Sequence, residues 1–146
     1  MKIGFLGAGA MGGAILSGAL DAGVFAPQDV YVADFSQAIK DKYAALGCNI
    51  CDKNTDLGQA DIVVIALKPQ YAAGAIASLE NSLEGKAVIS IMAGLKAEAV
   101  RSMIQANVRL LRTMPNTPAL VNAGAFALDA DCDLTDEEKA FAEKLF

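Results

Sequence analysis

The feature that most constrains the fold of this chain is a glycine motif, G-x-G-x-x-G, that directly follows a short apolar segment at residues 2–6. An apolar strand, a glycine turn and a helical pattern in this order are typical of the first βαβ unit of a dinucleotide-binding sheet. Gly7 permits the tight turn out of the strand, Gly9 lets backbone approach a pyrophosphate, and Gly12 lets the helix pack closely on the sheet. The alternative is a glycine-rich turn in an ordinary α/β domain.

The helix after the motif is expected to direct its amino end at a bound phosphate. Unpaired N–H groups and roughly half a positive charge at that terminus bind an anion without a basic side chain. We therefore predict a dinucleotide site in this loop. Its predicted cofactor-binding residues are Gly7, Ala8, Gly9, Ala10, Met11 and Gly12.

Length and composition predict one domain that buries about 70% of its unfolded surface around a single core. The chain has 146 residues, of which 54% are hydrophobic, and a net charge of -5. The basic residues are scattered, so we expect no nucleic-acid binding. No apolar run is long enough for a membrane span, and the start lacks a signal-peptide pattern, so we expect a cytoplasmic protein without membrane association.

The cysteines do not predict a metal site. Cys48 and Cys51 form a C-x-x-C pair, but the chain has no second pair and no histidine to complete a zinc site. We predict that both are small buried or edge residues in a reducing compartment, and that Cys132 is a free thiol in an acidic loop.

Apolar runs of four to six residues alternate with helical stretches, as in a parallel sheet covered on both faces. Gly23, Gly47 and Gly85 fall near predicted helix ends, where a left-handed cap is expected. Right-handed crossovers between the strands predict an α/β fold with a doubly wound, Rossmann-type, mostly parallel sheet. The predicted strands are 2–6, 30–33, 49–51, 62–66, 87–92 and 109–113, with an edge segment at 123–128, and the predicted helices are 10–22, 36–46, 71–83 and 96–105.

The character of the sequence changes near residue 130. An acidic loop leads into a capping box, Thr135 to Glu138, which predicts the start of a helix. The apolar face of that helix, with Phe141 and Leu145, has no continuation within the sequence, and such a face usually needs a partner. We therefore interpret the chain as the first half of a longer protein, with a dinucleotide-binding domain at 1–129 and a connecting segment at 130–146. The alternative is a terminal helix that docks on its own domain.

An acid stands where a dinucleotide-binding sheet places its ribose contact. Asp34 ends the predicted strand 30–33, about twenty residues after Gly12, where a carboxylate accepts hydrogen bonds from the adenosine ribose hydroxyls. This favours NAD, because a 2′-phosphate at about 4 Å would be repelled by on the order of 4 kcal/mol per charge at a dielectric near 20. The alternative role is an acid at the start of the next helix.

Two further predicted strands end at the same edge of the sheet, where ligands of doubly wound folds bind. Lys68 follows the strand 62–66 and is expected to face cofactor ribose or phosphate, unless it is only an exposed loop lysine. Ala93 and Gly94 follow the next strand and leave space for a nicotinamide ring or ribose, although a tight turn would select the same residues.

The segment after the sixth strand, residues 112–119, contains two prolines and an Asn-Thr pair and predicts a rigid polar loop. We expect it beside the nicotinamide and the substrate, since such loops often carry binding groups. Without histidine, no imidazole can take a hydroxyl proton, as in alcohol dehydrogenation. No catalytic residue is assigned, and the residues predicted near the substrate are Met114, Asn116 and Thr117.

Four motifs, in order and with matching spacing, resemble those of pyrroline-5-carboxylate reductases, and the resemblance covers essentially the whole chain. The first motif also resembles β-hydroxyacid dehydrogenases, but the second and fourth do not. The motifs are residues 7–12 (GAGAMG), 67–70 (LKPQ), 90–94 (SIMAG) and 114–121 (MPNTPALV).

The resemblance implies hydride transfer from a nicotinamide cofactor to the C=N carbon of 1-pyrroline-5-carboxylate, which yields L-proline. An imine is basic enough to be protonated by solvent or a hydroxyl, so histidine is not required. The resemblance favours NADP, whereas Asp34 favours NAD. Beyond the glycine loop, the cofactor-binding residues that it implies are Asp34, Asn54, Ala66, Leu67, Lys68, Pro69, Ala93 and Gly94.

Members of the family also have a second, helical domain that dimerises and closes the substrate site. The resemblance therefore implies a homo-oligomer formed through a C-terminal domain that these 146 residues do not include. We expect this chain to bind dinucleotide but to turn over poorly by itself. The alternative functions are a related two-domain imine or hydroxy-acid reductase, and a dinucleotide-sensing module without catalysis.

Overall fold

The computed structural model describes residues 1–115, 126–128 and 132–146. Its strands are β1 (Ile3–Leu6), β2 (Val30–Ala33), β3 (Asn49–Ile50), β4 (Ile62–Ile65), β5 (Ala87–Ser90), β6 (Arg109–Pro115) and β7 (Phe126–Leu128). Within the described residues they form one seven-stranded sheet in the order β3-β2-β1-β4-β5-β6-β7. Strands β1 to β6 run parallel, and β7 runs antiparallel to β6. The predicted doubly wound, mostly parallel sheet is confirmed.

Helices cover both faces of the sheet and create two apolar cores. Val64 and Ile89 face one core, which includes side chains of α1, α2 and α5, whereas Val63 and Val88 face the other, with α3 and α4. Successive strand residues thus enter opposite cores, which is why the strands read as continuous apolar runs. The helices are α1 (Ala10–Asp21), α2 (Gln37–Ala45), α3 (Pro69–Ala77), α4 (Ala97–Met103) and α5 (Asp136–Leu145), with 3-10 turns at Pro27–Asp29 and Asn54–Gln59.

The predicted positive backbone angles are present: φ is +68° at Gly23, +91° at Gly47 and +70° at Gly85. The third of these does not end a helix, because the predicted helix 71–83 is wrong at both ends. Helix α3 begins at Pro69, whose fixed φ suits the first helical position, and ends at Ala77. Residues 78–85 form turns instead.

The strands β1, β3 and β4 each differ from the prediction by one residue at one end, and two further strand ends differ by two residues. The predicted strand 87–92 ends at Ser90, and the chain turns away before Ala93. The predicted strand 109–113 continues to Pro115, because Thr113 to Pro115 pair with β7. The beginning of the predicted rigid loop at 112–119 is therefore strand.

Helix α5 begins with the predicted capping box: the Thr135 hydroxyl accepts the Glu138 N–H, and the Glu138 carboxylate accepts the Thr135 N–H. Its apolar face is covered by the domain itself. Ala142 is fully buried, and the Phe141 ring lies 6.3 Å from that of Phe25. The expectation that this face lacks a partner is wrong, because α5 docks on its own domain. The interpretation of the chain as the first half of a longer protein does not depend on this contact. The division of the chain near residue 130 stays a prediction.

The cysteines have the predicted structural character. Cys48 and Cys51 are buried, Cys132 is half-buried, and all three thiols are free. Burial raises the pKa of the Cys48 thiol, and burial together with the charges of Asp56 and Asp52 raises the pKa of Cys51 to about 12.

In the described part of the chain, no three His, Cys, Asp or Glu side chains are placed to hold a metal ion, and no helix has the length and apolarity to cross a membrane.

Candidate dinucleotide-binding site

The strand register brings the predicted binding residues to one edge of the sheet. Leu6, the last residue of β1, pairs with Ala33 of β2 on one side and with Ile65 of β4 on the other. The strand order reverses between β1 and β4, since β2 and β3 lie to one side and β5 and β6 to the other. The carboxyl ends of the strands at such a reversal form the crevice in which doubly wound folds bind ligands.

The first and last glycines of the motif are fixed by close packing. Gly7 has φ +88°, and a Cβ atom there would lie 2.8 Å from the Ala66 carbonyl oxygen. A Cβ atom on Gly12 would lie 2.5 Å from the Gly7 carbonyl oxygen and 2.7 Å from the Ala66 Cβ. The turn and the close helix packing predicted for these two residues are confirmed.

Gly9 differs, because a Cβ atom there would have no atom within 4 Å. Gly9 is the N-cap residue of α1, and the helix start has no side-chain cap and no acidic residue in its first turn. The first N–H groups of a helix have no partner within the helix, and they attract anions. The open space at Gly9 and the uncapped helix end therefore fit a diphosphate.

Asp34 joins the two loops on either side of this crevice. One of its carboxylate oxygens accepts the backbone N–H of Ala8 at 2.8 Å, and the other accepts that of Ser36 at 2.8 Å. The N-cap of α2 is Ser36. Each carboxylate oxygen has two acceptor positions, so the bonds described leave capacity for ribose hydroxyls.

The comparisons with known proteins assign a family to this arrangement. Residues 2–94, which contain the crevice, match the family model described as "NADP oxidoreductase coenzyme F420-dependent". The chain belongs to this family.

Relatives of this oxidoreductase-family chain carry a more specific name. It is 32% identical to a pyrroline-5-carboxylate reductase of Methanosarcina acetivorans over 99% of this chain and 55% of the relative, and 35% identical to that of Escherichia coli over 99% and 55%. A crystal structure of Plasmodium falciparum pyrroline carboxylate reductase with NADP bound has a TM-score of 0.84 and 28% identity, covering 100% of this chain and 54% of that one. The chain spans about half the length of the curated relatives it matches.

The segment after β4 packs directly on the glycine loop in this oxidoreductase domain. Ala66 and Leu67 both lie within 3 Å of the position that a Gly7 Cβ would occupy. Lys68 is exposed at the N-cap of α3, and Pro69 follows as the first helical residue. The structure thus places the backbone of this segment at the crevice, whereas contact of Lys68 with a cofactor stays a prediction.

The turn after β5 opens at the same edge. Ala93 and Gly94 are exposed, and Gly94 has φ +74°. The Arg112 guanidinium donates to the Leu95 carbonyl at 2.7 Å and so ties β6 to this turn. Met114, at 42% exposure, lies in β6. Asn116 and Thr117 lie outside the described residues.

Asn54 is engaged in a structural contact. Its amide nitrogen donates to the Ser78 hydroxyl at 2.8 Å, and that hydroxyl donates to the Ala75 carbonyl at the end of α3. A cofactor contact would use the remaining amide oxygen or a different side-chain rotamer. The assignment of Asn54 therefore stays a prediction.

Two aromatic residues at the site have no role that was predicted from the sequence. Tyr43 is fully buried and donates its hydroxyl to the Gly13 carbonyl at 3.2 Å, which holds α1 against α2 behind the glycine loop. Phe35, directly after Asp34, is 94% exposed. An aromatic residue immediately after Asp34 was the signal available in the sequence.

Proposed function

We propose that this chain is the cofactor-binding part of a pyrroline-5-carboxylate reductase and that it binds NADH or NADPH. The observation that carries the proposal is the unobstructed Gly9 at an uncapped helix start, beside Asp34. The names of relatives that are 32% and 35% identical over nearly the whole chain support the substrate.

Each residue at the edge has a separate task in this proposal. The N–H groups of the glycine loop hold the diphosphate, Asp34 accepts the ribose hydroxyls, and Lys68 contributes positive charge. Ala93 and Gly94 leave room for the nicotinamide ring. When bound, a reduced nicotinamide supplies a hydride from its C4 to the C=N carbon of 1-pyrroline-5-carboxylate, whose nitrogen takes a proton to give L-proline.

The test has a binding step and a reaction step. Titration calorimetry should show stoichiometric binding of NADH, NADPH or both, and the Gly9→Val variant should bind at least about 100-fold more weakly. The absorbance at 340 nm should then fall slowly when 1-pyrroline-5-carboxylate is added to wild type, and a hydroxy acid with oxidised cofactor should give no change. Failure to bind either cofactor would refute the site. Saturable cofactor binding, together with the same rate of cofactor oxidation in the presence and absence of the imine, would contradict the reductase activity.

The proposal extends to location and assembly. We infer a cytoplasmic enzyme, because its three thiols are free as in a reducing compartment. We infer homo-oligomers formed through a C-terminal domain, because the resemblance implies them. Light scattering of the 146-residue chain should then give a monomer. A stable dimer of this chain would place the assembly surface elsewhere.

A further inference from the structure

Phe35 has the most exposed large apolar side chain in the described residues, at 94%. A single exposed apolar side chain is common on protein surfaces and needs no explanation by itself. The position of Phe35 distinguishes it, because it lies in the loop between β2 and α2, at the edge of the candidate crevice.

The backbone on both sides of Phe35 is held in place. Asp34 precedes it with a carboxylate bonded to Ala8, and Ser36 follows it with an N–H bonded to the same carboxylate. The ring therefore projects into solvent from a fixed loop. Because the backbone is already ordered, a ligand that covers the ring restricts only the side-chain rotamers.

We propose that Phe35 is the platform on which the adenine base of the dinucleotide stacks. This inference rests on the proposed function, since it requires the adenosine ribose at Asp34. The base is bonded to that same ribose, which brings it within reach of the residue that follows the acid. An aromatic ring binds the face of any base, and removing such a ring weakens binding on the order of tenfold.

Stacking on Phe35 predicts a pattern of affinities that a ribose or phosphate contact would not give. The ring has no charge and does not distinguish a 2′-hydroxyl from a 2′-phosphate. Phe35→Ala should therefore weaken the binding of ADP, NADH and NADPH by the same factor, about tenfold. Loss of a polar ribose contact would instead change the ratio between NADH and NADPH.

The absence of tryptophan from the sequence gives a direct spectroscopic test. Phe35→Trp introduces a single reporter at the proposed platform, and ADP does not absorb at its emission wavelengths. The matched control is Leu46→Trp, which places the reporter at a 49% exposed apolar position at the other end of α2. Titration with ADP should quench the emission of Phe35→Trp and leave that of Leu46→Trp unchanged. Titration calorimetry then measures the affinities of wild type, Phe35→Ala and Leu46→Ala for the same ligands.

The outcomes separate this inference from the proposed function. Tenfold weaker binding in Phe35→Ala, wild-type affinity in Leu46→Ala and quenching at position 35 alone would support stacking. Equal affinities in wild type and Phe35→Ala, or unchanged emission of Phe35→Trp at saturating ADP, would overturn it and leave the dinucleotide site in place. If wild type binds neither ADP nor a dinucleotide, the proposed function itself fails. If Phe35→Ala instead abolishes self-association of the chain, the ring covers a second copy and the inference is wrong.

Discussion

The carboxylate of Asp34 accepts the backbone N–H of Ala8 at 2.8 Å and thereby fastens the end of β2 to the glycine loop. The same group therefore shapes the loop and places a negative charge at the crevice. These two effects can be separated by substitution, because the first needs only an acceptor oxygen and the second needs the charge.

Asp34→Asn should shift cofactor preference towards NADPH. The asparagine oxygen can keep one of the two backbone hydrogen bonds, whereas the charge that repels a 2′-phosphate is lost. The repulsion is on the order of 4 kcal/mol at 4 Å and a dielectric near 20, and solvent screening reduces it. We expect the ratio of the NADPH to the NADH dissociation constant to fall about tenfold, measured by titration calorimetry.

The control Asp41→Asn removes the same charge from the exposed surface of α2 and should leave the ratio unchanged. An unchanged ratio in Asp34→Asn would place the 2′-position away from this carboxylate.

Gly9→Val should fold normally and lose dinucleotide binding. A Cβ atom at this position would have no protein atom within 4 Å, so the added side chain extends into the space assigned to the diphosphate. We expect an affinity at least about 100-fold lower with a melting temperature near that of wild type, because closing this approach removes the loop hydrogen bonds to the ligand. Calorimetry and thermal unfolding measure the two quantities. Wild-type affinity in this variant would show that the ligand binds elsewhere.

Gly12→Ala should have the opposite effect, a loss of stability. Its Cβ would lie 2.5 Å from the Gly7 carbonyl oxygen, a backbone atom that cannot move without distorting the loop. Overpacking of this kind costs about 2–3 kcal/mol in the free energy of unfolding. Gly74→Ala is the matched control, because its Cβ would have no atom within 4 Å and alanine favours the helix by about 0.5–1 kcal/mol. The free energy of unfolding, measured in urea, should therefore be higher for Gly74→Ala than for wild type and lower for Gly12→Ala.

Local sequence patterns predicted most of the fold because the strands and the glycine turns are determined by nearby residues. The start of α1 at Ala10 and the bounds of β2 at Val30–Ala33 match the prediction. The C-terminal end of α3 was predicted too late because of tertiary contacts. Leu79 and Leu83 have helical spacing and are buried, but they reach the core from turns, and Glu80 between them has φ +51°.

The candidate site was predictable where a residue's task depends on its own backbone. The distinct roles of Gly7, Gly9 and Gly12 follow from the motif and agree with the space around each. The bonds of Asp34 to Ala8 and of Asn54 to Ser78 join residues more than twenty positions apart. Such contacts depend on how the loops meet in the fold, and periodicity along the sequence does not contain that information.

The three thiols should react at very different rates. Cys51, with a pKa of about 12, and Cys48, with a raised pKa, are buried and carry little thiolate at pH 8. Cys132 is only half-buried. We expect one rapid equivalent of reaction with a thiol reagent in the folded protein and three equivalents in urea. The control Cys132→Ser should lose the rapid equivalent, and a rapid reaction that survives this substitution would show that the C-x-x-C pair is accessible.

The ion pair between α5 and the sheet should make stability depend on pH. The Arg109 guanidinium donates to both oxygens of Glu138, at 2.5 Å and 2.9 Å for the closest contacts, and this bond lowers the pKa of Glu138 below its usual 4.5. A lowered pKa means that the stabilisation is complete above the unfolded-state value and is lost as the pH falls through the folded-state value. Glu138→Gln should therefore reduce the free energy of unfolding by about 1–2 kcal/mol at pH 7, with a difference that shrinks below pH 4.5.

The control Glu137→Gln alters an exposed acid of the same helix turn and should change stability by less than about 0.5 kcal/mol. Urea unfolding between pH 3 and pH 8 measures both, and a pH-independent difference would show that the charge of Glu138 does not contribute to the free energy of unfolding.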